Sequence, residues 1–93
     1  MPLEVSSVND FLLECINCFL TKYLPADEGN ATDYFSSKEI CYLIKEHTDY
    51  PMQLIQINLL LRRLGYKYVL QDDEFRWMVR KGERLPVLLE DIV

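Results

Sequence analysis

A chain of 93 residues, 49% of them hydrophobic and 12% aromatic, has room for one core and therefore one domain, with no stretch polar enough for long disorder. No apolar run approaches the roughly 20 residues of a membrane span, and the opening Met-Pro-Leu-Glu-Val lacks the basic and apolar regions of a secretory signal, so a cytoplasmic protein is expected. The formal charge of −5 weighs against nucleic acid as a partner until its distribution is considered.

The first predicted helix covers about 6–24. It starts at Ser6 or Ser7 and carries Val8, Phe11, Leu12, Cys15, Ile16, Phe19 and Tyr23 in one apolar stripe. Pro25 stops it, and residues 25–34 read as an acidic surface loop, the segment expected to be most mobile. Helix-turn-helix composition then fills about 36–65. Ser36 and Glu39 have the spacing of a capping box, with Phe35 and Ile40 placed as its hydrophobic staple. Ile40, Leu43, Ile44 and His47 are assigned to the core.

After the turn Thr48-Asp-Tyr-Pro51, a third helix opens near Pro51 and ends at Gly65, a residue suited to a left-handed C′ position. Its expected core face is Leu54, Ile57, Leu60, Leu61 and Leu64. Tyr66–Leu70 and Phe75–Val79 have strand composition and are joined by Gln71-Asp-Asp-Glu74, giving a hairpin over about 66–80. Phe75, Trp77 and Val79 alternate with Arg76, Met78 and Arg80, so one face reads as apolar and the other as basic. The tail, 85–93, is apolar for a terminus and is expected to dock on the body or on a partner.

Three cysteines do not make a disulfide framework. Cys15 and Cys18 form a C-x-x-C, but a tetrahedral metal site needs two more ligands, and only Cys41 and His47 remain. Those two sit about 240° apart on one predicted helix, so no metal is assigned. With one histidine, no glycine-rich phosphate loop and both Ser36 and Ser37 accounted for by capping, no nucleophile–base set can be assembled. Neither an enzyme, nor a cofactor, nor a small-molecule substrate is expected.

The order helix, turn, helix, hairpin over residues 35–80 resembles the winged helix-turn-helix superfamily, with the first helix supplying its usual opening element. The fold class this implies is α+β, a winged helix of three helices plus a two- or three-stranded antiparallel wing. Phe35-Ser-Ser-Lys-Glu-Ile40, the Leu64-Gly65-Tyr66 step and the aromatic strand around Trp77 are also similar to a narrower group. That group is the small C-terminal winged-helix domain of virulence-associated-E-type primase-helicase proteins. The superfamily resemblance implies that helix three enters the major groove and that the wing touches the backbone.

Charge supports that expectation locally. Residues 1–51 carry −6, residues 52–84 carry +3, and residues 85–93 carry −2. With a screening length of about 8 Å, the basic segment matters more than the total. Gln56 and Asn58 are the candidates for adenine edges, and Arg62 and Arg63 for guanine or phosphate. Lys67 and Arg76 add phosphate attraction, although charge on the solvent side of a hairpin is ordinary. Trp77 and Tyr68 can stack bases but are assigned first to the core.

Two features point elsewhere. Ile55 and Leu59 lie one turn apart on the outward face of helix three, and with Leu88 and Leu89 of the tail they form a candidate protein interface. Asp72, Asp73 and Glu74 put negative charge where a wing would meet phosphate. A nucleic-acid-binding regulator or accessory factor of DNA transactions is the leading expectation. The alternative is a winged-helix protein-interaction module, as a homodimer or with another protein.

Overall fold

The computed structural model describes residues 10–92 and folds them as α1 (Asp10–Leu20), β1 (Tyr23–Pro25), β2 (Asp33–Phe35), α2 (Ser37–Thr48), α3 (Leu54–Arg63), β3 (Lys67–Gln71) and β4 (Glu74–Lys81), followed by a single 3-10 turn at Leu89–Asp91. The class is α+β, with three helices and a four-stranded antiparallel sheet among the described residues. No helix among them is long and apolar enough to cross a membrane. The predicted helix start at Ser6 or Ser7, and Val8, lie outside the described residues.

The sheet is organised around β4. β3 pairs along Glu74–Met78 in the hairpin register Lys67↔Met78 to Gln71↔Glu74, and β1 continues the same edge opposite Val79–Lys81. β2 pairs with Trp77–Val79, overlapping both registers, and so occupies the other edge. The hairpin turn has two residues, Asp72 and Asp73, both at positive φ (50° and 64°), as a type I′ turn requires.

The strands β1 and β2 correct the sequence reading of a helix reaching Leu24 followed by an unstructured loop. α1 stops at Leu20, because β4 offers backbone partners to residues 23–25 and the Arg84 guanidinium donates to the Leu20 carbonyl (Nε to O, 3.0 Å). Pro25 stands last in β1, at the strand end, where its missing N–H costs little. Between the strands, Asp27 Oδ1 accepts from the Gly29 N–H (2.9 Å) and Asn30 Oδ1 accepts from the Asp27 N–H (2.9 Å), which ties the acidic loop to itself.

The local signals at helix ends are present in full. The Glu39 N–H donates to Ser36 Oγ (3.1 Å) and the Ser36 N–H donates to Glu39 Oε1 (3.0 Å), closing the capping box. At the end of α3, the Gly65 N–H bonds the Arg62 carbonyl and the Tyr66 N–H bonds the Leu61 carbonyl, a Schellman pair with Gly65 at φ +86°. α3 itself begins at Leu54 rather than at Pro51. The Gln56 side-chain oxygen accepts from the Gln53 N–H (2.9 Å) and fixes that later start.

The core gathers Leu12, Ile16, Phe19 and Leu20 of α1, Ile40 and Ile44 of α2, Ile57, Leu60 and Leu61 of α3, and Trp77 and Val79 of β4. Two residues assigned to it lie outside. Leu54 is exposed at the first turn of α3, and His47 is exposed with its Nδ1 at 2.9 Å from the Leu43 carbonyl, an i−4 contact at a helix end. On β4 the apolar face is buried at Trp77 and Val79 but not beside the turn, where Phe75 is 62% exposed, and Met78 on the other face is buried as well.

The tail docks on its own chain. The Asn17 side chain donates to the Val87 carbonyl (3.0 Å) and accepts from the Val87 N–H (2.9 Å), pairing with it as a strand would. Val87 and Ile92 join the core, whereas Leu85 and Leu88 stay exposed.

Candidate functional site

The chemistry-bearing side chains converge between α3 and the hairpin. On α3, Ile57, Leu60 and Leu61 face the core, which turns Asn58 and Arg62, four residues apart, toward β3 and β4. The hairpin supplies Tyr68, Phe75 and Trp77 on one sheet face, since Tyr68 is paired with Trp77 and Leu70 with Phe75. Ser37, at the first position of α2, closes the floor. These six residues line a cleft of about 230 Å³.

A chain of hydrogen bonds spans that floor. The Trp77 indole N–H donates to Ser37 Oγ (3.0 Å), and the Ser37 hydroxyl donates to Asn58 Oδ1 (2.5 Å). An indole N–H can only donate, so the hydroxyl accepts there and spends its own proton on the amide oxygen. Asn58 is thereby oriented with its two N–H donors available to the cleft. Above the floor, Tyr68 packs edge-to-face against both Phe75 (centroids 5.4 Å apart, 89°) and Trp77 (5.3 Å, 73°). Trp77 is 4% exposed and belongs to the core, as its alternation predicted, but its indole edge serves the cleft. Tyr68 is 49% exposed, and Phe75 more so.

The predicted nucleic-acid residues do not form one surface. Asn58 and Arg62 line the cleft. Gln56 and Arg63 lie roughly 130° around α3 from them at 100° per residue, and the Gln56 oxygen is engaged at the helix start. Lys67 and Arg76 stand on the opposite face of the sheet from Tyr68 and Trp77, because adjacent strand residues alternate. Arg76 is drawn to Glu74 (3.4 Å), and its Nε is buried without a hydrogen-bond partner. Of the predicted interface, Ile55 is 56% exposed and Leu59 is half-buried on α3, while Leu88 is exposed and Leu89 half-buried on the docked tail.

Ser37 and Phe75 were missed from the sequence. Ser37 looked redundant beside a capping serine, and its partners lie 21 and 40 residues away. Phe75 falls on the apolar face of its strand by alternation. Its position beside a two-residue turn was the available signal for exposure.

Elsewhere, polar groups are occupied by structural work. Arg84 bonds the Leu20 carbonyl and the Tyr66 hydroxyl (3.0 Å), and Tyr66 donates to the Tyr23 carbonyl (2.6 Å). Burial pushes the Tyr66 phenol up to about 12, with Arg84 opposing. Burial also raises the Cys18 thiol, which Lys22 partly offsets, and the Cys41 thiol, so both stay protonated at neutral pH. No group of three His, Cys, Asp or Glu among the described residues is placed to hold a metal ion. A larger groove, about 640 Å³ beside the tail, is lined mostly by Leu64, Leu85, Val87 and Leu88, and its one arginine, Arg84, is already bonded.

No protein-family model matches the chain, and neither a curated protein nor a solved structure matches it.

Proposed function

We propose that the chain is a winged-helix domain that binds nucleic acid through the cleft between α3 and the hairpin, acting as a small regulator or accessory factor of DNA transactions. The element order supports the fold reading: a helix, short strands, two further helices and a hairpin whose second strand organises the sheet. The observation that carries the function is the convergence of a free cation, amide donors and exposed aromatic rings, namely Arg62, Asn58, Tyr68 and Phe75, in one cleft. Cations attract phosphate, rings stack bases, and an oriented amide reads a base edge. The narrower resemblance to primase-helicase domains rests on Phe35-Ser-Ser-Lys-Glu-Ile40, the Leu64-Gly65-Tyr66 step and the aromatic strand around Trp77. Ser36, Glu39 and Gly65 serve as caps here, while Ser37 and Trp77 also line the cleft.

Binding of labelled single-stranded and duplex oligonucleotides at low salt tests this reading. Arg62→Ala is expected to weaken binding about fivefold or more, as loss of a charge-assisted hydrogen bond implies. Arg76→Ala, on the far side of the sheet, should leave affinity within about twofold, at the level of long-range screened charge. Absence of binding to every oligonucleotide would falsify the proposal.

One observation favours the protein-interaction alternative. Leu54 and Ile55 are adjacent and exposed in the first turn of α3, and neither lines the cleft. If that patch holds a second copy, Ile55→Glu converts a dimer to a monomer in sedimentation without loss of fold. A monomeric wild-type protein at high concentration removes the homodimer form of this reading.

A further inference from the structure

We infer that the cleft takes one unpaired base of a single strand, with preference for a base that presents carbonyl acceptors. This narrows the nucleic-acid reading and rests on it. Three observations carry it.

The first is the state of the rings. Tyr68 and Phe75 meet edge-to-face, a contact that occupies one face of one ring rather than burying two as a stacked pair would, and with Tyr68 49% and Phe75 62% exposed, ring surface stays open to a ligand. A free π face is satisfied by a base that has left its own stack, whereas bases inside a duplex are covered on both sides. At about 230 Å³, the space between α3 and the hairpin suits one heterocycle.

The second is the placement of charge. A duplex docked on α3 would set phosphates against Asp72, Asp73 and Glu74 at the hairpin tip, and would meet the exposed Ile55 in the first turn of the helix. Lys67 and Arg76 cannot help it, since they face away. A single strand has one backbone to accommodate, and Arg62 at the cleft supplies the cation for it.

The third is the polarity of Asn58. Ser37 holds its oxygen, and Ser37 is itself fixed by Trp77. The amide therefore offers N–H donors to whatever enters. Thymine and uracil present O2 and O4, and guanine presents O6 and N7. Thymine and uracil carry an N3–H between O2 and O4, but each carbonyl keeps a second lone pair on the side away from it. Adenine N1 and N7 have a single lone pair each, beside the N6 donor, and the bidentate asparagine–adenine pair needs amide oxygen as well as nitrogen. Stacking alone would favour adenine, a purine, over thymine, so the rank order separates donor recognition from stacking.

The test uses the full chain with short labelled oligo(dT), oligo(rU), oligo(dA) and a mixed-sequence duplex at low salt, read by anisotropy and by quenching of Trp77, the sole tryptophan. Oligo(dT) or oligo(rU) should bind about fivefold tighter than oligo(dA), the value of one hydrogen bond. Either should bind more tightly than the duplex, and the dT-to-rU ratio then identifies the sugar that the protein meets. Phe75→Ala should weaken single-strand binding about tenfold, within the range for one stacked base. Its side chain is exposed apart from the ring contact with Tyr68, so the variant should stay folded with only a small drop in unfolding temperature. Asn58→Asp, which replaces the donors by an acceptor, should abolish the preference over adenine.

Tighter duplex binding, or an unaltered single-strand affinity in Phe75→Ala, overturns the inference while leaving nucleic-acid binding standing. Equal affinity for dT, rU and dA overturns its base preference. No binding to any oligonucleotide removes the inference and the proposed function together.

Discussion

Replacing Ser37 with alanine removes the hydroxyl that joins Trp77 to Asn58, and so measures what holds the floor of the cleft. Two part-buried hydrogen bonds are lost, at 3.0 and 2.5 Å, each contributing about 1 kcal/mol net. Alanine favours the helix over serine by about 0.5 kcal/mol, which returns part of that loss. The expected destabilisation is about 1.5 kcal/mol, or a Tm lower by about 6–12 °C for a domain of this size. Because cavity and propensity effects also enter, the decisive assay is a double-mutant cycle with Asn58→Ala, read by urea unfolding on Trp77 fluorescence. The coupling between the two positions should be about 1 kcal/mol. A coupling indistinguishable from zero would show that water serves Asn58 as well as Ser37 does. The argument for a fixed amide polarity would then fail.

Backbone conformation gives a pair of opposite expectations. Asp73 pays for a left-handed φ of 64° with a side chain, so Asp73→Gly should stabilise by about 0.5–1 kcal/mol, seen as a higher urea midpoint at constant slope. Gly65→Ala, at φ +86° with open space around the new methyl, should destabilise by about 1 kcal/mol, and Gly65→Asn by less. Equal losses in the two Gly65 variants would locate the cost in sterics instead. Tyr66 gives a pH dependence. Its folded pKa of about 12 exceeds the ordinary 10, so the folded state holds the proton more tightly, and stability intact below pH 10 is lost as pH rises toward 12. The loss is at most about 2–3 kcal/mol, and Tyr66→Phe should remove that part of the alkaline decline in unfolding free energy.

What was legible in the sequence was local. Ser36 and Glu39 sit three residues apart, and Gly65 follows directly on the helix it ends, so neighbours alone dictated those geometries. The three-residue strands β1 and β2 were illegible for the converse reason. They exist only because β4, more than 40 residues later, offers two edges, and nothing in Tyr23-Leu-Pro25 or Asp33-Tyr-Phe35 marks a strand by itself. The site shows the same division. Alternation along β4 correctly separated Trp77 from Arg76, but which of those faces would meet α3 depended on packing. Phe75 shares the apolar face of β4 with Trp77, but periodicity carries no information about how far along a strand burial extends.

That division bears on how the protein would recognise a ligand. The +3 of residues 52–84 suggested recognition by charge. In the fold Arg84 bonds the end of α1, Arg76 leans on Glu74, and Lys67 faces away from the cleft. Arg80 and Lys81 lie opposite β1 at the other end of β4 from the hairpin turn, which leaves Arg62 as the cation at the site and Arg63 on the far flank of α3. A surface that neutralises one or two phosphates binds with a log–log salt slope of only about −1 to −2. Affinity at physiological salt must then come from terms that salt does not screen, and the cleft supplies two of them: the exposed ring surface of Tyr68 and Phe75, and the amide donors of Asn58, whose oxygen Ser37 holds. A steep slope, of the kind a basic helix in the major groove produces, would place the contact on some other surface. A shallow slope that persists in Arg76→Ala and vanishes in Arg62→Ala would locate it here.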